Sequence, residues 1–412
     1  MITIKKLLNL DIFDLNWDIS SKEINQVESM NSGKYGILEG LGRCLIHVIS
    51  SVRYVKFNTS NFNKDIVILC GTKNQLNALN NIKDIGNVIE FGNMSNKKSN
   101  NSFEAIPYLI SLAFIPLLLF KIITEKDEFR KKNLKCRFDR YLFSYGLVVF
   151  FLWVIKPERN KLIIVSNDHS VWQRSMMFAA KLNGVKTAYV QHANVSNKFP
   201  PLDFDFAFLD GCHSKNTYNI RENCVAIKVG CVRFEEFQSI LNNTEKKFLG
   251  DVLICFNKTD TDLQIRDVIK NIKNKLSSNQ RVGVRLHPSD NRGELLLKIK
   301  EEMSFAFYNE SDAELDSVLS RYSYCFAGLS SIFLEAALSN LKCCSVSNIF
   351  DDYYNYEKDG IVTVFPSWEE FELSKVPNKK DVAKQLYDSC ESNLVGISKP
   401  SLRIKYILRD FI

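Results

Sequence analysis

A chain of 412 residues is too long for one ordinary hydrophobic core and points to two or three domains of about 150 residues each. Its 45% hydrophobic and 25% charged residues are those of a globular protein, and the excess of 54 basic over 47 acidic residues forms no basic stripe interleaved with aromatics, so nucleic acid is not an expected partner. Eleven cysteines include one adjacent pair, Cys343 and Cys344, and no Cys-x-x-Cys, which argues against a zinc site or a disulfide framework and fits a reducing cytoplasm.

Residues 1–10 lack the long apolar core of a signal peptide, so the protein is expected to stay where it is made. Residues 1–60 show weak periodicity and give no reading. From residue 65 the pattern sharpens into a strand at 66–70, a helix at 74–82 and a strand at 88–91, followed by a polar loop at 92–102. Two apolar runs, 106–120 and 141–155, are each about 15 residues long, short of the ~20 that a spanning helix needs. Between them, residues 121–140 carry eight Lys or Arg against four Asp or Glu. Two readings follow: peripheral attachment through 106–155 to the cytoplasmic face of the inner membrane, or buried helices of the first domain.

Alternation then resumes with strands at 162–165, 187–190, 206–209 and 225–229, and helices at 171–182 and near Ser214. A polar stretch at 237–250 marks a boundary. Beyond it come strands at 252–256, 282–286, 305–308 and 324–327, and helices at 263–276, 295–303 and 315–321. Strands alternating with helices imply parallel sheets covered on both faces. The expected fold is therefore α/β, two Rossmann-like domains facing across a cleft. The first spans 1–240 and the second 250–385, with a helical segment at 386–412 packing back on the first.

Four of the five histidines, His169, His192, His213 and His287, follow strand ends, where parallel sheets build their ligand crevice. His47 lies in an apolar helical stretch and reads as structural. Arg285 and His287, two apart at the end of one strand, project to the same side. Ser330 and Ser331 open a helix-forming run whose free N–H groups favour a phosphate, although a serine there also serves as a helix cap. Together they read as a phosphate clamp. Asp168 either caps the helix that follows it or acts as a general base, with His192 as its rival. Two Asp-x-Asp triplets, Asp203 to Asp205 and Asp260 to Asp262, could bind a divalent cation or be solvated loops. Gly36, Gly40 and Gly42 do not have dinucleotide-fingerprint spacing, so neither a nicotinamide nor a P-loop enzyme is expected.

Residues 160–340 resemble bacterial glycosyltransferases of the two-Rossmann-domain (GT-B) type that build capsules, lipopolysaccharide and teichoic acids. The resemblance is carried by Tyr189, Val190, Gln191 and His192, and by Val229, Gly230, Cys231, Val232, Arg233, Phe234 and Glu235, which is similar to that group's Gly-x-Pro-Arg-Phe-Asp turn. Arg285, Leu286, His287, Pro288 and then Ser330, Ser331 and Glu335 complete it. A His-Pro pair followed by a Ser-Ser pair resembles the sialyltransferases and Kdo transferases, which use CMP-activated sugars. This resemblance implies that His287 contacts the donor phosphate, that Ser330 and Ser331 hold it, and that Asp168 is the base. Asn167, Asp168 and His169 stand where those enzymes have two acids and a glycine. Teichoic acid polymerases using CDP-glycerol share both pairs, but Ala193 follows His192 where they have glycine.

The donor side is thus expected to comprise Asn257, Lys258, Arg285, His287, Pro288, Glu310, Gly328, Ser330, Ser331 and Glu335. The acceptor side comprises Asn167, His169, Gln191 and His213, and catalysis falls to Asp168, His192 and His287. No metal or cofactor is expected, the partners being a nucleotide sugar and a glycan or lipid-linked acceptor. A polyol phosphotransferase, a sugar-nucleotide epimerase and a non-catalytic membrane-docking subunit are the alternatives.

Overall fold

Two six-stranded parallel sheets organise the chain. The computed structural model describes residues 36–52, 59–91, 105–167, 170–197, 199–235, 251–287, 290–308 and 315–411. The first sheet holds β1 (Ile66–Cys70), β2 (Asn87–Glu90), β3 (Leu162–Val165), β4 (Lys186–Val190), β5 (Phe206–Leu209) and β6 (Val225–Lys228), in the order β2-β1-β3-β4-β5-β6. The second holds β7 (Val252–Phe256), β8 (Val282–Leu286), β9 (Ala306–Tyr308), β10 (Tyr324–Ala327), β11 (Lys342–Val346) and β12 (Val362–Phe365), in the order β12-β11-β10-β7-β8-β9. Strands β1 and β7 are unbroken apolar runs buried along their whole length, as strands covered on both faces must be.

The described helices, in chain order, are α1 (Ile37–Val52), α2 (Lys73–Leu79), α3 (Ala105–Leu112), α4 (Ile115–Thr124), α5 (Glu128–Cys136), α6 (Phe138–Val154), α7 (Val171–Leu182) and α8 (Cys212–Thr217). The second half adds α9 (Asp262–Lys275), α10 (Gly293–Glu302), α11 (Leu315–Leu319), α12 (Ile332–Leu338), α13 (Lys380–Tyr387) and α14 (Pro400–Ile407). Helices α6 and α7 cover one face of the first sheet through Phe150, Phe151, Met176 and Ala180. Its other face packs against Leu79 of α2 and, from the end of the chain, Leu394, Ile404 and Leu408. The segment after Tyr387 therefore returns to the first lobe, where Lys405 pairs with Asp84 at 2.8 Å. The second sheet lies between α9 and α10 on one face and α11, α12 and α13 on the other.

Three sequence expectations change. Strands β11 and β12 were not anticipated, because Lys-Cys-Cys-Ser-Val and Val-Thr-Val-Phe are short and mixed in polarity. The run 106–120 is two helices, α3 and α4, with Pro116 in the first turn of α4 and a 61° bend between them. The segment 386–412 is not one helix: α13 ends at Tyr387 and Pro400 opens the separate α14. The run 141–155 lies inside α6, a core helix with twelve buried residues. The polar stretches 92–102 and 237–250 lie outside the described residues.

Helices α3 and α6 approach closely at Gly146, where an added Cβ would stand 2.0 Å from the Pro107 carbonyl oxygen. Gly146→Ala should therefore force the two helices apart at a cost of roughly 1–3 kcal/mol. A lowered thermal unfolding midpoint checks this; an unchanged midpoint refutes the close approach.

Candidate functional site at the carboxyl edges of the two sheets

In the second sheet the strand order reverses between β7 and β10, so the loops after these strands flank a topological switch point, where open α/β sheets bind ligands. Asn257, the first residue after β7, bridges it: its Nδ2 donates to the Leu329 carbonyl at 2.7 Å, and its backbone N–H donates to Asp260 Oδ2 at 2.6 Å. Lys258 beside it is exposed. Gly328 is required by the packing, since a Cβ there would sit 2.7 Å from the Ile349 carbonyl oxygen.

His287 follows β8, its backbone N–H donating to the Phe256 carbonyl at 3.0 Å and its residue exposed at the sheet edge. Ser330 and Ser331 follow β10 and are half-buried. Ser330 Oγ accepts from the Ile332 N–H at 3.3 Å, and Ser331 makes no side-chain cap bond, so the capping expected of this pair is supplied by Ser330. Since β7 lies between β8 and β10, the residues ending those two strands are two strand spacings, about 10 Å, apart. His287, Asn257 and Ser330 thus line one edge.

Arg285 departs from the expected clamp. In register it sits between Cys255 and Tyr308, on the sheet face that packs against α11 and α12, and it is 7% exposed. It therefore does not share the open edge with His287. Pro288 and Glu310 lie outside the described residues.

A residue unread in the sequence shapes this edge. Arg292 Nε and Nη2 grip the Asp290 carboxylate at 2.9 and 2.6 Å, while Nη2 also donates to the Asn257 carbonyl at 3.1 Å and Nη1 to the Asp260 carbonyl. The loops after β7 and β8 are tied together through one guanidinium. Asp262 joins it at 3.2 Å. The other Asp-x-Asp pair is similarly engaged, Asp203 by Lys181 and Asp205 by Lys186 and Thr187. Both triplets are accounted for by these bonds.

On the first sheet the order reverses between β1 and β3, placing the loop after β3 at the switch point. Asn167 Oδ1 accepts from the Ser170 N–H at 2.6 Å, and Ser170 Oγ caps α7 by accepting from the Gln173 N–H at 3.3 Å. The cap is Ser170, so of the two readings of Asp168 the capping one is overturned. Asp168 and His169 lie outside the described residues. The side chain of Gln191 is consumed internally, its Oε1 accepting from the Asp210 N–H and its Nε2 donating to the Ala193 carbonyl, both at 2.9 Å. His192 is half-buried beside it.

His213 does not reach the edge. Its Nδ1 bonds Asp359 Oδ2 at 2.6 Å, its Nε2 lies 3.3 Å from Thr217 Oγ1, and its ring stacks on Tyr387 at 4.5 Å. Burial would raise the Asp359 carboxyl, but bonds from His213 and Tyr387 hold it below its ordinary value. Neither ring nitrogen is left for an acceptor, and the histidine instead joins the two lobes. His47 stacks on Tyr108 at 5.0 Å.

The strongest electrostatics lie at the lobe junction, around Arg233 in the turn after β6. Its Nη2 donates to Asn194 Oδ1 at 2.7 Å and lies 3.8 Å from Asp210 Oδ2, and its Nη1 approaches the His192 carbonyl at 3.5 Å. Asn194 in turn donates to the Tyr356 hydroxyl of the second lobe. Asp388 accepts from the Cys231 N–H at 2.8 Å. Asp210 Oδ2 and Glu335 Oε2 are buried without hydrogen-bond partners. Burial raises the Glu335 carboxyl, partly offset by Arg233. Burial, opposed by Arg233 and aided by Asp388 and Glu335, pushes Asp210 up to about 7. Glu335 therefore belongs to this junction, although it was expected on the donor side.

No family model matches the chain, and no curated protein does. Among solved structures it is similar to S. aureus MnaA with UDP, at 13% identity over 85% of this chain and 98% of that one, with a TM-score of 0.49. A glycosyltransferase from Rickettsia africae is 11% identical over 85% of this chain and 98% of that one, TM-score 0.45. The wall teichoic acid polymerase TagF is 9% identical over 91% and 98%, TM-score 0.44. The strand orders themselves define the class: an α/β protein of two Rossmann-like domains, the GT-B arrangement.

A carboxyl raised above its unfolded value binds an extra proton in the native state, so its contribution to stability falls as pH rises from about 4 to about 7. Asp210→Asn should flatten this slope, by up to about 1.4 kcal/mol per pH unit. Thermal midpoints of both proteins across that range check it; parallel curves refute it.

Proposed function

We propose that the chain is a glycosyltransferase that moves a sugar from a nucleotide-sugar donor onto a cell-surface glycan or lipid-linked acceptor, with a CMP-activated sialic acid- or Kdo-like sugar as the favoured donor. The observation that carries this reading is the alignment of His287, Asn257 and Ser330 along three adjacent loops of the second sheet's carboxyl edge, at its switch point. His287 and Ser330 also carry the sequence resemblance.

In this reading the donor phosphate lies across the edge, between the His287 imidazole and the hydroxyls of Ser330 and Ser331. Helix α12 has only seven residues, so stabilisation of the departing phosphate falls to these side chains rather than to a long helix dipole. The acceptor hydroxyl forms the new glycosidic bond as the bond from the sugar to the phosphate oxygen breaks. Its proton passes to His192 or Asp168 of the first lobe. Asn257 and Arg292 fix the loops that the phosphate touches.

A sugar-nucleotide epimerase is the second reading, favoured by the two raised carboxyls, Asp210 and Glu335, at the lobe junction. Product analysis without an acceptor separates the two, since only an epimerase then yields an altered nucleotide sugar.

Calorimetry with CMP, CDP and UDP tests the donor class: tightest binding by CMP is expected, and tightest binding by CDP would move the assignment to a polyol phosphate donor. His287→Ala should lower transfer by about a hundredfold or more while leaving the unfolding midpoint unchanged. Transfer at the wild-type rate would remove the donor edge from the reaction.

A further inference from the structure

The helical layer of α1 and α3 to α6 plays no part in the chemistry above, and its surface is unusual. Helix α1 is apolar on two sides. Gly40 and Cys44 face inward, and a Cβ on Gly40 would meet Phe138 Cβ at 3.0 Å. The outer side carries Leu38, Leu45, Ile46 and Ile49, exposed to 84, 51, 64 and 64%. Their spacing, i, i+7, i+8 and i+11, places them in one stripe along the helix.

The stacking of His47 on Tyr108 sets α1 against α3, where Leu109 is exposed. Beyond the bend, α4 presents Phe120 and Ile123. With Trp153 of α6, eight of the fourteen large apolar side chains exposed among the described residues fall in this layer. Such a concentration marks a contact surface.

Charge identifies the partner. Residues 121–140 carry eight basic and four acidic side chains, so +4 of the chain's net +7 lies in twenty residues. Lys126, Lys135 and Arg140 are exposed among them. A second copy of the layer would set one positive excess against another, whereas an anionic surface complements it. Among the described residues no single helix is long and apolar enough to cross a membrane, and the α3–α4 pair that together has the length is bent by 61°. The surface therefore suits contact along a bilayer rather than passage through it.

We propose that α1 and the α3–α4 bend dock on an anionic lipid bilayer, the outer stripe of α1 entering the headgroup boundary while the basic segment faces lipid phosphates. This goes beyond the transferase reading and does not depend on it. Docking would hold the sheet edges at a fixed height above the membrane, within reach of an acceptor anchored there.

Co-sedimentation of the full chain with vesicles tests the proposal. Binding is expected to vesicles of phosphatidylglycerol and phosphatidylcholine in equal parts, little to phosphatidylcholine alone, and weaker binding at about 0.5 M salt. The double variant Ile46→Ser, Ile49→Ser should lose about tenfold or more in affinity, as should Lys126→Glu with Lys135→Glu. All four side chains are exposed, so unfolding midpoints should be retained. Absence of anionic-vesicle binding, or wild-type binding by both double variants, overturns the proposal. So does a wild-type dimer in light scattering that Ile46→Ser, Ile49→Ser converts to monomer without any vesicle binding, which would assign the stripe to a second copy.

Discussion

The charge balance around Arg233 governs how the two lobes meet. Its guanidinium lies near Asp210 of the first sheet's edge and Glu335 of α12, where burial penalises every uncompensated charge. Burial is the main cause that raises the Asp210 and Glu335 carboxyls, and Arg233 offsets part of it at both. Through Asn194 the same arginine reaches Tyr356, and through the His192 carbonyl it touches the loop that would face an acceptor. The arginine thus links the lobe contact to the loop after β4.

The two edges differ in how they are built. On the second lobe, Asn257 and Arg292 lock neighbouring loops by direct bonds to backbone carbonyls, leaving His287 exposed. Such fixing of loops before a ligand arrives is what lets a side chain act on a phosphate without first paying to be ordered. On the first lobe, Gln191 ties the loop after β4 to that after β5 through the Asp210 N–H, and Asn167 Oδ1 holds the start of α7.

Much of this was legible in the sequence because burial on both faces forces apolar runs: β1, β3, β7, β8 and β10 could each be read from composition alone. The placing of His287 and Ser330 at the carboxyl edge was legible for the same reason, since each closely follows such a run. Helix α1 was not, because it is apolar on two sides and carries three glycines at or near its start, which blurs any period. Neither was the Arg233 cluster, whose partners come from residues 192, 194, 210 and 335 and become neighbours only through the fold. His213 misled for a related reason: its position after a strand suggested an open edge, while its bonding partner, Asp359, lies 146 residues away.

The return of the chain to the first lobe after Tyr387 has an architectural consequence. The chain leaves the first lobe beyond Glu235 and re-enters it near Asp388, where Asp388 accepts from the Cys231 N–H and Cys390 pairs with Val229. The second lobe is therefore an insertion within the first, and a chain ending near residue 240 would lack Leu394, Ile404 and Leu408 and leave an apolar sheet face wet.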